Sequence, residues 1–265
     1  MSDLHGWLPQ VIAIARQAGD AIMEVYRGDI EVQRKQDRSP LTEADLAAHH
    51  VIEQGLRAMT PQLAVLSEES TVVPYAVRRG WQRYWLVDPL DGTREFIKRN
   101  GEFTVNIALI EQGRPVIGVV YAPDQDLLYY ACSGHGAYKA MRGQASVPIH
   151  ARALDLRHVT VAGSRSHADE RLQGFLRNLC KPELLSLGSS LKICLVAEGK
   201  ADVYPRLGPT SEWDTAAAQC VLEQAGGYLV DRTHAPLMYN SKESLLNPEF
   251  FACGATPHNW NQYLE

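Results

Sequence analysis

The chain has 265 residues, 45% of them hydrophobic and 22% charged, an ordinary balance for a soluble globular protein of one large domain or two small ones sharing a core. Its formal net charge of −5 argues against a general nucleic-acid binder, which carries a basic excess, but leaves room for a small phosphorylated ligand whose charge a bound cation balances. Five scattered cysteines (Cys132, Cys180, Cys194, Cys220, Cys253) include no Cys-x-x-Cys, the start lacks a charged-then-apolar signal pattern, and no apolar run is long enough to span a bilayer; together these read as a reduced, cytoplasmic protein.

Leu8, Val11, Ile12, Ala15, Ala18, Ile22 and Val25 recur at helical spacing and predict a helix over residues 1–27, stopped at Gly28. After a polar stretch over 33–40, Thr42 is placed to cap a second helix. That helix carries Asp45 in its first turn, shows Leu46, Val51, Ile52 and Leu56 on one face, and ends at Thr60-Pro61. A short strand over 63–66 runs into Ser67-Glu68-Glu69-Ser70, whose adjacent acids by themselves read as a solvated turn. Tyr84-Trp85-Leu86-Val87 predicts a buried strand that ends at Asp88, because Pro89 cannot donate to a ladder. Strands over 103–110, 114–121 and 127–132, joined by short connections, predict an antiparallel meander. Beyond residue 150 strands at 159–162, 184–187, 202–204, 228–230 and 250–253 alternate with helices at 168–179, 189–198 and 212–224, which predicts layered α/β packing. The expected division is an α+β half over 1–150 and an α/β half over 151–265, packed tightly with a site at their junction.

Asp88-Pro89-Leu90-Asp91-Gly92-Thr93 sets two carboxylates three residues apart at the end of a buried strand, with a possible helix start at Thr93. Paired oxygen ligands beside free backbone N–H groups suit Mg²⁺ and a phosphate together, although Asp, Pro and Gly also make an ordinary turn. Glu212-Trp213-Asp214-Thr215-Ala216-Ala217-Ala218 reads as a helix start with Asp214 in the first turn, where the dipole favours an anion. One site would require Glu69, Asp88, Asp91 and Asp214 to converge from three separate elements. Four carboxylates exceed the one or two usual for a single Mg²⁺, which points to two or more ions. Two ions can clamp the attacking and leaving oxygens of a phosphoryl displacement and acidify a water.

Taken together, Ser67-Glu68-Glu69, Asp88-Pro89-Leu90-Asp91-Gly92-Thr93 and Trp213-Asp214-Thr215-Ala216-Ala217 resemble the signature of the lithium-sensitive, Mg²⁺-dependent phosphatases of the inositol monophosphatase superfamily. The resemblance extends over nearly the whole chain; Ser67 stands where the family usually has Gly. The run from Thr93-Arg94-Glu95-Phe96 to Asn100-Gly101-Glu102-Phe103-Thr104-Val105-Asn106 is similar to the 3′(2′),5′-bisphosphate nucleotidase branch. Ser189-Ser190-Leu191-Lys192-Ile193-Cys194 and Tyr204-Pro205-Arg206-Leu207-Gly208-Pro209-Thr210 strengthen that likeness.

The resemblance implies an α/β (α+β) fold, a layered αβαβα sandwich of the inositol monophosphatase/fructose-1,6-bisphosphatase type. It implies two or three Mg²⁺ ions held by Glu69, Asp88, the Leu90 carbonyl, Asp91 and Asp214. Gly92 and Thr93 would present N–H groups to the scissile phosphate, and Thr93 with Asp45 would orient the attacking water. On the residues alone Asp45 reads as a first-turn helix acid. Lys192 and Arg206 are the expected cations for a remote phosphate, with Ser164, His167, Ser189 and Asp214 as further substrate contacts; each cation alone also reads as solvated surface. His49 and His50 lack a His-Glu-x-x-His pattern and receive no catalytic role.

The implied activity is conversion of 3′-phosphoadenosine 5′-phosphate to AMP and phosphate, with the 5′-phosphosulfate as a further substrate, in sulfur assimilation. The implied enzyme is cytoplasmic, a monomer or homodimer, with no nucleic-acid partner and with peripheral inner-membrane association left open. An inositol or sugar-phosphate phosphatase is the alternative that shares the chemistry. A cation-dependent, non-catalytic binding protein is the alternative of another class, against which the Asp45–Thr93 pair argues. A dinucleotide-binding reading fails because Gly134-His135-Gly136 lacks the third glycine.

Overall fold

Leu8, Val11, Ile14, Ala15, Ala18 and Ile22 form one buried stripe along α1 (Leu4–Arg27). The computed structural model describes residues 4–28, 32–34, 40–164 and 170–264. β1 (Val32–Arg34) and β2 (Pro40–Thr42) pair as a small antiparallel ribbon that leads into α2 (Glu43–Met59). Thr42 is the N-cap of α2, as its type predicts. At the other end the Thr60 hydroxyl donates to the Leu56 carbonyl at 3.0 Å and accepts from the Trp85 indole N–H at 2.8 Å, which ties α2 to the sheet below it.

β3 (Ala64–Ser67), a single turn α3 (Tyr75–Arg78) and β4 (Arg83–Asp91) follow. After α4 (Thr93–Ile97) come β5 (Thr104–Glu111), β6 (Arg114–Ala122), β7 (Leu127–Cys132), β8 (Ala137–Met141) and β9 (Val147–Ile149). β3 to β9 make a seven-stranded sheet in chain order, with β3 parallel to β4 and every later pair antiparallel.

The rest of the chain gives β10 (Thr160–Ser164), α5 (Glu170–Arg177), β11 (Glu183–Leu187), α6 (Leu191–Ala197), β12 (Val203–Arg206), α7 (Glu212–Gln224), β13 (Tyr228–Asp231) and β14 (Phe250–Cys253). A 3₁₀ turn, Trp260–Tyr263, closes it. The second sheet has five strands in the order β11-β10-β12-β14-β13; β10 runs parallel to β11 and β12, and β14 antiparallel to β12 and β13.

Strand alternation sorts these elements into layers. Trp85, Val87, Val105, Ile107 and Leu109 pack with α1 and α2 on one face of the large sheet. Tyr84, Leu86, Ala108 and Ile110 pack on the other face with α6 and α7. Tyr204, Leu229, Phe250 and Ala252 of the small sheet close the same cluster from the far side. Phe175 and Trp260 cover that sheet's outer face over Val161, Val203 and Phe251. The result is the expected αβαβα sandwich, with α6 and α7 as a middle layer shared by both sheets.

α7 lies very close to β6. A Cβ on Gly118 would stand 2.2 Å from the Ala217 carbonyl oxygen, so the contact needs both a glycine in the strand and the small residues Ala216, Ala217 and Ala218 in the helix.

Three expectations change. The buried strand does not stop at Asp88 but continues to Asp91 through an irregularity between those residues. α3, β8 and β9 carry no clean apolar period, since β8 alternates aromatic, charged and small residues that are half-buried, and periodicity did not reveal them. The helix expected over 168–179 is α5, which ends at Arg177, two residues short; residues 165–169 lie outside the described residues.

Candidate active site

In a regular strand, residues three apart point to opposite faces. Asp88 and Asp91 escape that rule because β4 carries one extra residue between them. Asp88 lies across from Asn106 and Asp91 from Thr104, so three steps on β4 match two steps on β5. A bulge of this kind re-aims a side chain, and Pro89 is tolerated there because a bulge leaves an N–H unpaired. Counting from Tyr84 and Leu86, both acids face the middle helical layer. Asp88 is 1% exposed. Gly92 then takes φ 91, a left-handed conformation that costs glycine little, and turns the chain into α4 at Thr93.

The parallel ladder delivers a third acid. Leu66 pairs with Leu86, Ser67 with Val87, and the Glu68 N–H donates to the Val87 carbonyl at 3.1 Å. Glu68 is therefore in step with Asp88, on the inner face, and it lines the cavity described below. The expected ligand, Glu69, does not line it. It lies one residue further along the turn that follows β3, past the last contact of that ladder. Counting parity from Leu66 is the signal that would have selected Glu68 from the sequence. Ser67 faces the other way, with its hydroxyl 3.0 Å from His49 Nδ1.

The fourth acid comes from the middle layer. Asp214 opens α7 in a capping box, accepting from the Ser211 N–H at 2.9 Å. Glu68, Asp88, Asp91 and Asp214 thus meet at one cavity of about 360 Å³ between the sheets. Leu90, Gly92, Thr93, Ser164, Ser189, Lys192 and Arg206 line it too. His167 lies outside the described residues. Arg94, Glu95, Ser190 and Tyr204 also line it, although no role had been assigned to them. The first two follow the Asp-Gly-Thr turn directly, and Tyr204 alternates with Arg206 on β12.

The electrostatics are those of a crowded anionic site. Burial and the neighbouring Glu68, Asp91, Asp214 and Asp45 push the Asp88 carboxyl well above its ordinary value. Burial and Asp91 do the same to Asp214. Asp91 is pushed up to about 6 by burial, against the opposing pull of Lys192 and the Ser190 N–H, which donates to it at 2.6 Å. Lys192 is 6% exposed, and burial lowers its ammonium to about 8 against the opposing effect of Asp91. Its Nζ donates to the Ser189 carbonyl at 2.5 Å and lies 5.4 Å from the Tyr204 ring centroid. Arg206 donates to the Pro209 carbonyl at 2.8 Å, and its Nε is buried with no partner among the described residues.

Asp45 combines the two roles that its position allowed. One carboxylate oxygen accepts from the Thr42 N–H at 2.7 Å and the Thr42 hydroxyl at 2.6 Å, which makes it a helix cap. The other faces the Thr93 hydroxyl at 3.4 Å. The Leu90 carbonyl is 3.5 Å from the same hydroxyl, whose single proton serves one acceptor at a time.

These donors fit Mg²⁺. All are oxygens, and the three aspartates, raised in pKa by burial and by their acidic neighbours, are a set that a divalent cation would relieve. Among the described residues no trio of His, Cys, Asp and Glu is drawn in to form a closed chelate.

Three comparisons with known proteins bear on the family and the fold. The model of the inositol monophosphatase family matches residues 3–261. The chain is 55% identical over 245 residues to the 3′(2′),5′-bisphosphate nucleotidase CysQ of Salmonella typhimurium, covering 92% of this chain and 98% of that protein. It is 54% identical over 245 residues, with the same coverage, to the CysQ nucleotidase of Escherichia coli K12. The crystal structure of CysQ from Bacteroides thetaiotaomicron, described as a bacterial member of the inositol monophosphatase family, superposes with a TM-score of 0.82 at 42% identity. That match covers 97% of this chain and 99% of the other.

Proposed function

The chain belongs to the inositol monophosphatase family, and we propose that it is a Mg²⁺-dependent phosphatase that removes the 3′-phosphate of 3′-phosphoadenosine 5′-phosphate, giving AMP and phosphate. The observation that carries the reading is the meeting of Glu68, Asp88, Asp91 and Asp214 with Lys192 and Arg206 in one cavity. Acids alone would repel a phosphate. Cations beside them give a substrate with two phosphates a second anchoring point.

Glu68, Asp88, the Leu90 carbonyl, Asp91 and Asp214 would hold the ions, and four carboxylates call for more than one. When bound, Mg²⁺ neutralises charge on phosphoryl oxygens and acidifies a water. The residues of the chain supply position. Asp45 accepts a hydrogen bond from the Thr93 hydroxyl, which turns the lone pairs of the Thr93 oxygen toward the cavity, where they would accept a hydrogen bond from the attacking water and orient it. Left-handed Gly92 opens the start of α4, and the Gly92 and Thr93 N–H groups face the scissile phosphate. Lys192 acts as a point charge and Arg206 as a planar fork for the remaining phosphate. Ser164 and Ser189 provide hydroxyl contacts to the sugar and base side of the substrate.

The test is phosphate release with Mg²⁺ from 3′-phosphoadenosine 5′-phosphate, inositol 1-phosphate and AMP, measured side by side. A strong preference for the bisphosphate is the expected result. Preference for inositol 1-phosphate would keep the acid site and overturn the nucleotidase assignment. No release from any of the three, with Mg²⁺ still bound, would favour a cation-dependent binding protein.

A further inference from the structure

β5 is a core strand with an anomaly. Toward α1 and α2 it is apolar, with Val105, Ile107 and Leu109. On its inner face Ala108 and Ile110 are apolar as well, but the residues before them are not. Glu102, Thr104 and Asn106 succeed one another at alternate positions and are 8%, 0% and 1% exposed. Burying three polar side chains in a row is costly unless each is satisfied.

Their contacts run to a single short segment. Glu102 accepts from the Gly188 N–H at 2.8 Å. The Ser190 hydroxyl lies 2.9 Å from Asn106 Oδ1, the side-chain amide oxygen, and 2.9 Å from the Thr104 hydroxyl. Since the amide oxygen only accepts, Ser190 donates to Asn106 and Thr104 donates to Ser190. Space is matched to the same segment: a Cβ on Gly188 would lie 2.7 Å from the Glu102 carbonyl oxygen and 2.7 Å from Glu95 Cγ. Ser189, between the anchored residues, is held at φ 50, in the left-handed region.

The segment in turn holds the acids. The Ser190 N–H donates to Asp91 Oδ2, and the Ser189 carbonyl accepts from Lys192. Across the ladder, Thr104 is the partner of Asp91 and Asn106 the partner of Asp88, so each acid shares a face with one member of the stripe. Asn106 Nδ2 is buried with no partner among the described residues, on the face it shares with Asp88.

We propose that Glu102, Thr104 and Asn106 form a brace that fixes segment 188–190 and, through it, the Asp91 carboxylate and the Lys192 ammonium. They are positioning residues. The brace concerns the arrangement of the cation site, and only one arm of its test rests on Mg²⁺ being the ligand.

The test uses the full chain with Thr104→Val and Asn106→Leu, which keep size and remove the hydrogen bonds, and Thr104→Ser, which restores the hydroxyl. Amide exchange across residues 188–192 is measured in EDTA. The Mg²⁺ concentration for half-maximal thermal stabilisation is measured without substrate. Thr104→Val and Asn106→Leu are expected to speed exchange selectively at 188–192 and to raise the Mg²⁺ half-point about tenfold, as loss of a support to a metal ligand typically does. Thr104→Ser should stay near the parent on both readouts. Unchanged protection at 188–192 overturns the brace. So does faster exchange everywhere alike, or an unmoved Mg²⁺ half-point in variants whose segment has loosened. If the parent itself shows no response to Mg²⁺, the cation assignment falls and the exchange result alone decides the brace.

Discussion

Glu68→Gln and Glu69→Gln sit one position apart and should behave very differently. Glu68 lines the cavity beside Asp88 and Glu69 does not. Glu68→Gln is expected to lower kcat/KM by roughly 10²-fold, about 3 kcal/mol of lost transition-state stabilisation, while Glu69→Gln should cost far less. Steady-state kinetics on both variants checks the assignment, and a larger loss in Glu69→Gln would reverse it. Thr93→Val keeps the side-chain shape but removes the hydroxyl that faces Asp45. Its kcat should fall by about 10²-fold or more with KM little changed, because the hydroxyl orients water and does not anchor substrate. A rise in KM at constant kcat would make Thr93 a binding residue. The acids at Asp88, Asp91 and Asp214 were legible in the sequence because their turns and cap are spelled out beside them. The choice between two adjacent glutamates was harder: both fit the motif, and counting parity from Leu66 carries weight only once β3 is known to pair with β4.

At the scale of elements, the apolar period disclosed the buried half of the large sheet and the amphipathic α1 and α2. It failed where an element is short or half-exposed, as in α3, β8 and β9. Pro89 announced that pairing breaks there, and a proline breaks pairing equally well at a strand end or inside a bulge. The partner strand resolves it, because two residues of β4, Pro89 and Leu90, stand opposite the single Val105 of β5. α7 approaches β6 closely, where a Cβ added to Gly118 would stand 2.2 Å from the Ala217 carbonyl oxygen. Neither backbone can yield cheaply. Gly118→Ala should therefore destabilise the fold by about 1–3 kcal/mol and push α7, with Asp214 at its start, away from the other acids. Urea unfolding and the Mg²⁺ requirement of the variant should shift together. A shift in stability alone would mean that α7 repacks without moving Asp214.

For the molecule as a whole, the raised acids set a pH dependence. Asp91 moves from the ordinary 3.8 to about 6, and Asp88 and Asp214 move in the same direction. Between those values the folded state keeps protons that the unfolded chain has released, so the stability of Mg²⁺-free protein falls as pH rises through that window. A divalent cation replaces the missing protons. The stabilisation by Mg²⁺, read as a rise in melting temperature, should thus be larger at about pH 8 than at about pH 5, and at a hundredfold excess over Kd it amounts to roughly 3 kcal/mol. Melts at both pH values with EDTA and with Mg²⁺ measure this, and an equal or reversed gain would remove the acids from cation binding. The middle layer has a consequence of another kind. α6 and α7 belong in sequence to the last hundred-odd residues, yet they complete the core under both sheets. Cutting the chain near residue 150 would strip the large sheet of its inner cover and leave α6 and α7, still on the small sheet, with their other face bare. The two pieces should be neither separable nor able to melt one after the other, and calorimetry should record a single cooperative transition. A protein built this way is inherited, damaged and degraded as one object.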